Sequence, residues 1–123
     1  MTTVDVKNLL ISYKELEAKL KIWEECFDFS SNCHIEKEYQ KLFLQLDIMN
    51  QGLTLLKEQH KFVIETHLIQ HYIWKETSIK FQKEWGLSCS RSERTLKRMQ
   101  AEGIQEILNF IKTANLESYF QKI

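Results

Sequence analysis

The chain has 123 residues, enough for one domain, or one domain with a helical extension, and a modest core, which excludes a multidomain enzyme. Apolar residues make up 43% and charged residues 28%, with three glycines and no proline, so a disordered chain is excluded and a folded, soluble, strongly helical one is expected. Seventeen basic side chains balance seventeen acidic ones, so net charge says nothing about partners and only its distribution can.

That distribution is uneven. Residues 1–74 hold 8 Lys or Arg against 11 Asp or Glu, whereas residues 75–103 hold 7 against 4, and the rest is balanced. A local basic segment is masked by an acidic front half. The start "MTTVDVKNLL" carries Lys7 and is followed by charges every few places, so it offers neither a signal h-region nor a twenty-residue apolar run. An intracellular protein away from membranes is expected. Cys26, Cys33 and Cys89 are odd in number and form no CxxC pair, so reduced thiols are expected rather than a disulfide framework or a zinc site.

From Val6 the apolar residues Val6, Leu9, Tyr13, Leu16, Leu20, Trp23 and Phe27 alternate spacings of three and four, which predicts one long seamed helix started by Thr3 or Asp5 and ending near Asp28. "DFSSNCH" (28–34) should stop it, because its Asp, Ser and Asn side chains compete for backbone hydrogen bonds. A second seam, Ile35, Tyr39, Leu42, Leu46, Met49, Leu53 and Leu56, continues through His60 and Val63 and is weakened at "NQG" (50–52). The pair reads as an antiparallel hairpin or as strands of a dimeric coiled coil, since both bury the same seams.

Beyond residue 64 the units shorten. "IETHLIQHYIWK" places Ile64, Leu68, Ile69, Tyr72 and Ile73 on one helical face. "TSIKFQKEWGL" predicts a helix capped at Thr77 or Ser78, with Ile79, Phe81 and Trp85 as core residues and Gly86 as its C-terminal stop. In "SRSERTLKRMQAEGIQEILNFI" either Ser90, boxed with Glu93, or Ser92 caps a last long helix. Its inward face is Leu96, Met99, Ile104, Ile107, Leu108 and Ile111, with a kink expected at Gly103. The tail carries Leu116, Tyr119, Phe120 and Ile123 and should dock.

The fold class expected is all-α: a long N-terminal helical hairpin or coiled coil over residues 1–63, used for oligomerisation or interaction, then a compact helix-turn-helix domain with a C-terminal tail over 64–123. Two short helices joined at a glycine-containing turn, the second starting basic, have the sequence form of a helix-turn-helix. A major groove admits one helix whose first turns reach base edges, while flanking cations neutralise phosphates. Ser92, Arg94, Thr95 and Arg98 are the candidates for the groove, and Arg91, Lys97, Lys83 and Lys80 for the backbone. The competing reading of four basic residues in eight positions is a solvated helix face.

"HLIQHYIWKETSIKFQKEWGLSCSRSERTLKRMQAEGIQEIL" resembles the C-terminal part of the RinA and ArpU type phage late-gene transcription activators, themselves similar to the fourth region of sigma factors. The likeness is carried by "IQHYIWKE", by "IKFQKEWGLS" and above all by "SERTLKRM", which is similar to the Ser-x-Arg-Thr start of that family's recognition helix. It covers a third of the chain, and the turn between Gly86 and Ser92 is longer than the family pattern. The resemblance implies promoter DNA as ligand, RNA polymerase as a partner, the cytoplasm of a bacterial host as location, and a DNA-facing role for Ser92, Arg94, Thr95, Lys97 and Arg98. A homo-oligomer is expected because symmetric pairing doubles the contacts of a small module.

Other constellations are weaker. His67 and His71 are four apart, a spacing that lets two imidazoles share a metal, yet a third ligand set and an HExxH motif are missing. Cys89 beside basic residues has no resolving thiol or base. Trp23, Trp74, Trp85, Tyr13, Tyr39, Phe27 and Phe81 lie on or beside the seams and read as packing. No phosphate-cradling loop or nucleophile elbow occurs, so neither an enzyme nor a cofactor is expected. The rival class is a helical protein-binding adaptor or inhibitor acting on a transcription factor or polymerase subunit, favoured by the long turn, the zero net charge and the acidic front half.

Overall fold

The computed structural model describes residues 1–26 and 33–121, Cys33 without its side chain; Phe27, the expected helix stop from residue 28 and the terminal Ile123 lie outside the described residues. Helix α1 (Thr3–Ile11) starts one residue earlier than the seam predicts. Thr2 caps it, its hydroxyl accepting from the Asp5 N–H at 3.4 Å while the Asp5 carboxylate accepts from the Thr2 N–H at 2.8 Å. Helix α2 (Tyr13–Cys26) follows a one-residue interruption at Ser12, whose N–H donates to the Asn8 carbonyl at 3.1 Å and whose carbonyl accepts from the Leu16 N–H at 3.0 Å. The single helix expected here is therefore two, and each serves a different core.

Helix α3 (Cys33–Thr54) packs antiparallel along α2. Leu16, Leu20 and Trp23 meet Tyr39, Leu42 and Leu46, the Tyr39 hydroxyl donates to Glu24 near the end of α2, and Tyr13 at its start lies beside Asp47. The helix runs unbroken through Gly52, where a Cβ would stand 3.2 Å from Ile107, so the glycine expected to weaken it marks a close approach instead.

Helix α4 (Glu58–Ile64) passes into one π-helical stretch, Glu65–Ile69. There the Gln70 N–H reaches back to the Glu65 carbonyl at 2.8 Å and the Tyr72 N–H to the Thr66 carbonyl at 3.1 Å. His71, at φ +64°, ends the stretch. The widened turn breaks the expected helical face of residues 64–73: Ile64, Leu68 and Ile69 are buried, but Ile73 is exposed.

Helix α5 (Trp74–Trp85) begins before the expected cap; Thr77 is buried inside its first turn, with its hydroxyl donating to the Ile73 carbonyl at 3.0 Å. Of its expected core residues Phe81 is fully buried and Trp85 half-buried, whereas Ile79 is 47% exposed. The core needs only the Phe81 face of this short helix, so Ile79 is left in solvent. Gly86 and a 3-10 turn (Leu87–Cys89) lead to α6 (Glu93–Thr113), and all six apolar residues expected on its inner face are buried.

Two apolar clusters organise this unit. Val63 of α4, Phe81 of α5 and Leu96 and Met99 of α6 form one, with Phe62, Trp74 and Trp85 against it. The larger joins Val6 and Leu10 of α1, Met49 and Leu53 of α3, Ile64 and Leu68, and Ile104, Ile107, Leu108 and Ile111 of α6. The boundary expected between residues 63 and 64 runs through this second cluster. The tail docks as expected: Leu116 and Phe120 pack on the larger cluster, and the Gln45 side chain donates to the Tyr119 carbonyl at 2.7 Å. The described residues hold helices and turns without a strand, and no helix among them is long and apolar enough to cross a membrane.

Candidate nucleic-acid interface

The start of α6 is set by Ser92, whose hydroxyl accepts from the Thr95 N–H at 3.2 Å and lies 3.0 Å from the Thr95 hydroxyl. This decides between the two caps that the sequence allows. Leu96 and Met99 then fix the helix against Phe81 and Val63, so the side chains on the opposite arc face outward. Arg94, Lys97 and Arg98 share that arc, because at 100° per residue they fall within one side of the helix.

The cations differ in what holds them. Lys97 is 55% exposed and pairs with Glu93 at 3.2 Å, with its ammonium 5.9 Å from the Trp74 ring centre. Arg98 is 70% exposed and lies 3.6 Å from Glu102, which also binds His60 at 2.9 Å. Such exposed i,i+4 pairs are weak and screened by salt, so an incoming phosphate can displace the carboxylates. Arg94 is exposed and has no carboxylate partner among the described residues. Arg91, half-buried just before the cap, donates to the Ser90 carbonyl at 3.2 Å. On α5, Lys83 is exposed and Lys80 holds its ammonium 4.5 Å from the centre of the Tyr72 ring.

Helix electrostatics sharpen the point. The N-terminal end of α6 is its positive end, where cations are unfavourable by about 0.3–1 kcal/mol each and carboxylates favourable. Glu93 obeys that rule and Arg94, in the same first turn, breaks it, whereas Lys97 and Arg98 stand one turn further on, where the helix-end effect has faded. The charge of Arg94 therefore adds to the positive end of the helix instead of cancelling it.

Glu102 is held below the usual carboxylate range by its hydrogen bond with His60 and secondarily by Arg98. His67 is held below the ordinary imidazole range by burial, aided by Lys7 and Lys97 and opposed by its bond to the Tyr72 carbonyl and by Glu93. Its Nδ1–H donates to that carbonyl at 2.8 Å while the ring stacks on Trp74, centres 3.6 Å apart. His71 bonds the Ile11 carbonyl through Nε2 at 2.8 Å, so the two imidazoles turn to different backbone oxygens. Among the described residues no three His, Cys, Asp or Glu side chains gather as metal ligands. Cys89 is half-buried in the 3-10 turn.

The sequence did not reveal a groove of about 530 Å³ that runs beside this surface, between α1, the π-helical stretch, α5 and α6. Thr3, Val4, Lys7, His67, Trp74, Lys97, Gln100 and Ile104 contribute to its walls. Lys7 carried no signal, because its neighbours there come from the other end of the chain.

The chain matches no protein-family model, no curated protein and no solved structure.

Proposed function

We propose that this is a DNA-binding transcription regulator that presents the first two turns of α6 to the major groove, with α5 beside it, as expected of a helix-turn-helix in phage late-gene activators. One observation carries the reading: α6 is anchored by Leu96 and Met99 while Arg94, Lys97 and Arg98 project together from the opposite side of its first two turns. Ser92, Arg94, Thr95 and Arg98 face base edges, although Ser92 and Thr95 already bond each other, which leaves Ser92 one free hydrogen-bonding direction and Thr95 two. Arg91, Lys97, Lys83 and Lys80 take phosphates. The acidic α2–α3 pair serves oligomerisation or contact with polymerase, in the cytoplasm of a bacterial host.

A second reading has its own support. Ile79 at 47% and Leu87 at 77% exposure lie on α5 and just past its end, which suits a protein-binding adaptor better than a phosphate surface. Fluorescence anisotropy on duplexes from the flanks of the coding region, at two salt concentrations, separates the two. For a regulator, Arg94→Ala costs about 1–3 kcal/mol on the preferred duplex and relaxes one base position. Lys83→Ala weakens all duplexes evenly and reduces the salt slope by about 1. Unchanged affinity for both variants rejects the DNA reading in favour of the adaptor.

A further inference from the structure

The groove between α1, α5 and α6 has features that DNA binding does not use. Val4, Ile104 and Trp74 give it apolar lining, and one face of the Trp74 ring is already covered by His67. Two lysines line it from separate helices, Lys7 of α1 and Lys97 of α6, and the charges of both act on His67 in its wall. Glu93 neutralises part of Lys97 at 3.2 Å, so the groove suits a monoanion rather than a dianion. Gln100, only 7% exposed, also lines it, and its Oε1 is buried without a hydrogen-bond donor. Buried amide oxygens are almost always paired, so this one marks a place for a donor.

We propose that this groove binds a small aryl carboxylate bearing one hydroxyl or N–H donor. The carboxylate lies with the Lys7 and Lys97 ammoniums, the ring rests on Val4, Ile104 and the edge of Trp74, and the donor reaches Oε1 of Gln100 once that amide turns to bring its covered oxygen to the groove. An apolar body with a few convergent polar groups is the usual make-up of a small-molecule site, and a groove of about 530 Å³ is in the range of such sites. An occupant also draws Lys97 away from the α6 surface. That last consequence rests on the DNA-binding reading; occupancy itself does not.

The test uses the intact chain without DNA, titrated under ¹H–¹⁵N NMR with three probes: 4-hydroxyphenylacetate, phenylacetate, which lacks the donor, and 2-(4-hydroxyphenyl)ethanol, which lacks the charge. The first should bind most tightly, shifting resonances of Lys7, Trp74 and Gln100, and each of the others should bind several-fold more weakly. Lys7→Gln, at an exposed position, should weaken 4-hydroxyphenylacetate by roughly fivefold, the upper range for one exposed charge pair. Gln100→Leu, which keeps the volume and removes the orphaned oxygen, should erase the preference for the hydroxyl. Equal binding of the neutral alcohol, an unaltered affinity in Lys7→Gln, a hydroxyl preference that survives Gln100→Leu, or no shift at millimolar probe overturns the proposal. Because DNA is absent from the tube, any of these leaves the regulator reading to its own anisotropy test.

Discussion

Gly86 stands at φ +90° and ψ 168°, a region of backbone space that is essentially reserved for glycine, and it ends α5 with its N–H donating to the Gln82 carbonyl at 2.7 Å. A Cβ there would meet nothing within 4 Å, so Gly86→Ala tests backbone strain free of any clash. A loss of about 1–3 kcal/mol in urea unfolding is expected. His67 sets a different dependence at the same scale. Its folded pKa lies below the unfolded one of about 6.5, so the unfolded chain takes up the proton first as pH falls. Stability from this group is full above the unfolded value and is lost as pH falls through the folded value. The melting temperature should therefore decline between pH 7 and pH 5, and His67→Gln should flatten that decline in a thermal scan series. Both glycine and histidine were visible as residues in the sequence, Gly86 with its role as a stop and His67 without one, because the stacking partner Trp74 comes into reach only through the π-helical stretch.

Among the elements, α6 was the most legible and the π-helical stretch after α4 the least. Every apolar position expected on the inner face of α6 is buried, because its spacing repeats over about four turns and a single face can satisfy it. The Gly103 kink expected in it does not occur, and α6 runs unbroken from Glu93 to Thr113. A Cβ at Gly103 would come 2.6 Å from Ile64 Cδ1, so the glycine lets α4 and α6 approach. Removing that methyl should release the constraint. Gly103→Ala alone is expected to destabilise, since crowding of about 1–3 kcal/mol exceeds the gain of about 1 kcal/mol in helix propensity. In an Ile64→Val background the same change should become neutral or stabilising, and a double-mutant cycle by denaturant unfolding would show coupling of about 1 kcal/mol or more. Additive effects would mean that the two helices do not meet there. In the stretch that follows α4 the pattern failed for a related reason: π-helical hydrogen bonding shifts the register by one residue, and local spacing carries no mark of it.

At the scale of the molecule, the larger core draws α1 and α3 together with the π-helical stretch and α6, so the front of the chain shields the back. Residues 64–123 made on their own would expose Ile64, Leu68, Ile104, Ile107, Leu108 and Ile111 to water. That fragment should show no cooperative thermal transition by circular dichroism, while the whole chain unfolds in one step. A sharp transition in the fragment would support the division into arm and domain. The same packing creates the groove, because Lys7 and Val4 arrive beside α6 only when α1 docks on the larger core through Val6 and Leu10.

The sequence by itself determined the helical class, the inner face of α6, the packing role of Trp23, Phe81 and Trp85, and the presence of cations at the start of that helix. Those properties are written within four residues of one another, in amphipathic spacing, caps and charge. Only the tertiary structure decided that the first seam splits at Ser12, that Ile79 faces water, that Gly52 and Gly103 mark close approaches, and that Lys7 and Lys97 share a groove. Each depends on which distant surface a helix meets, and burial is a property of the pair of surfaces, not of either stretch of chain alone.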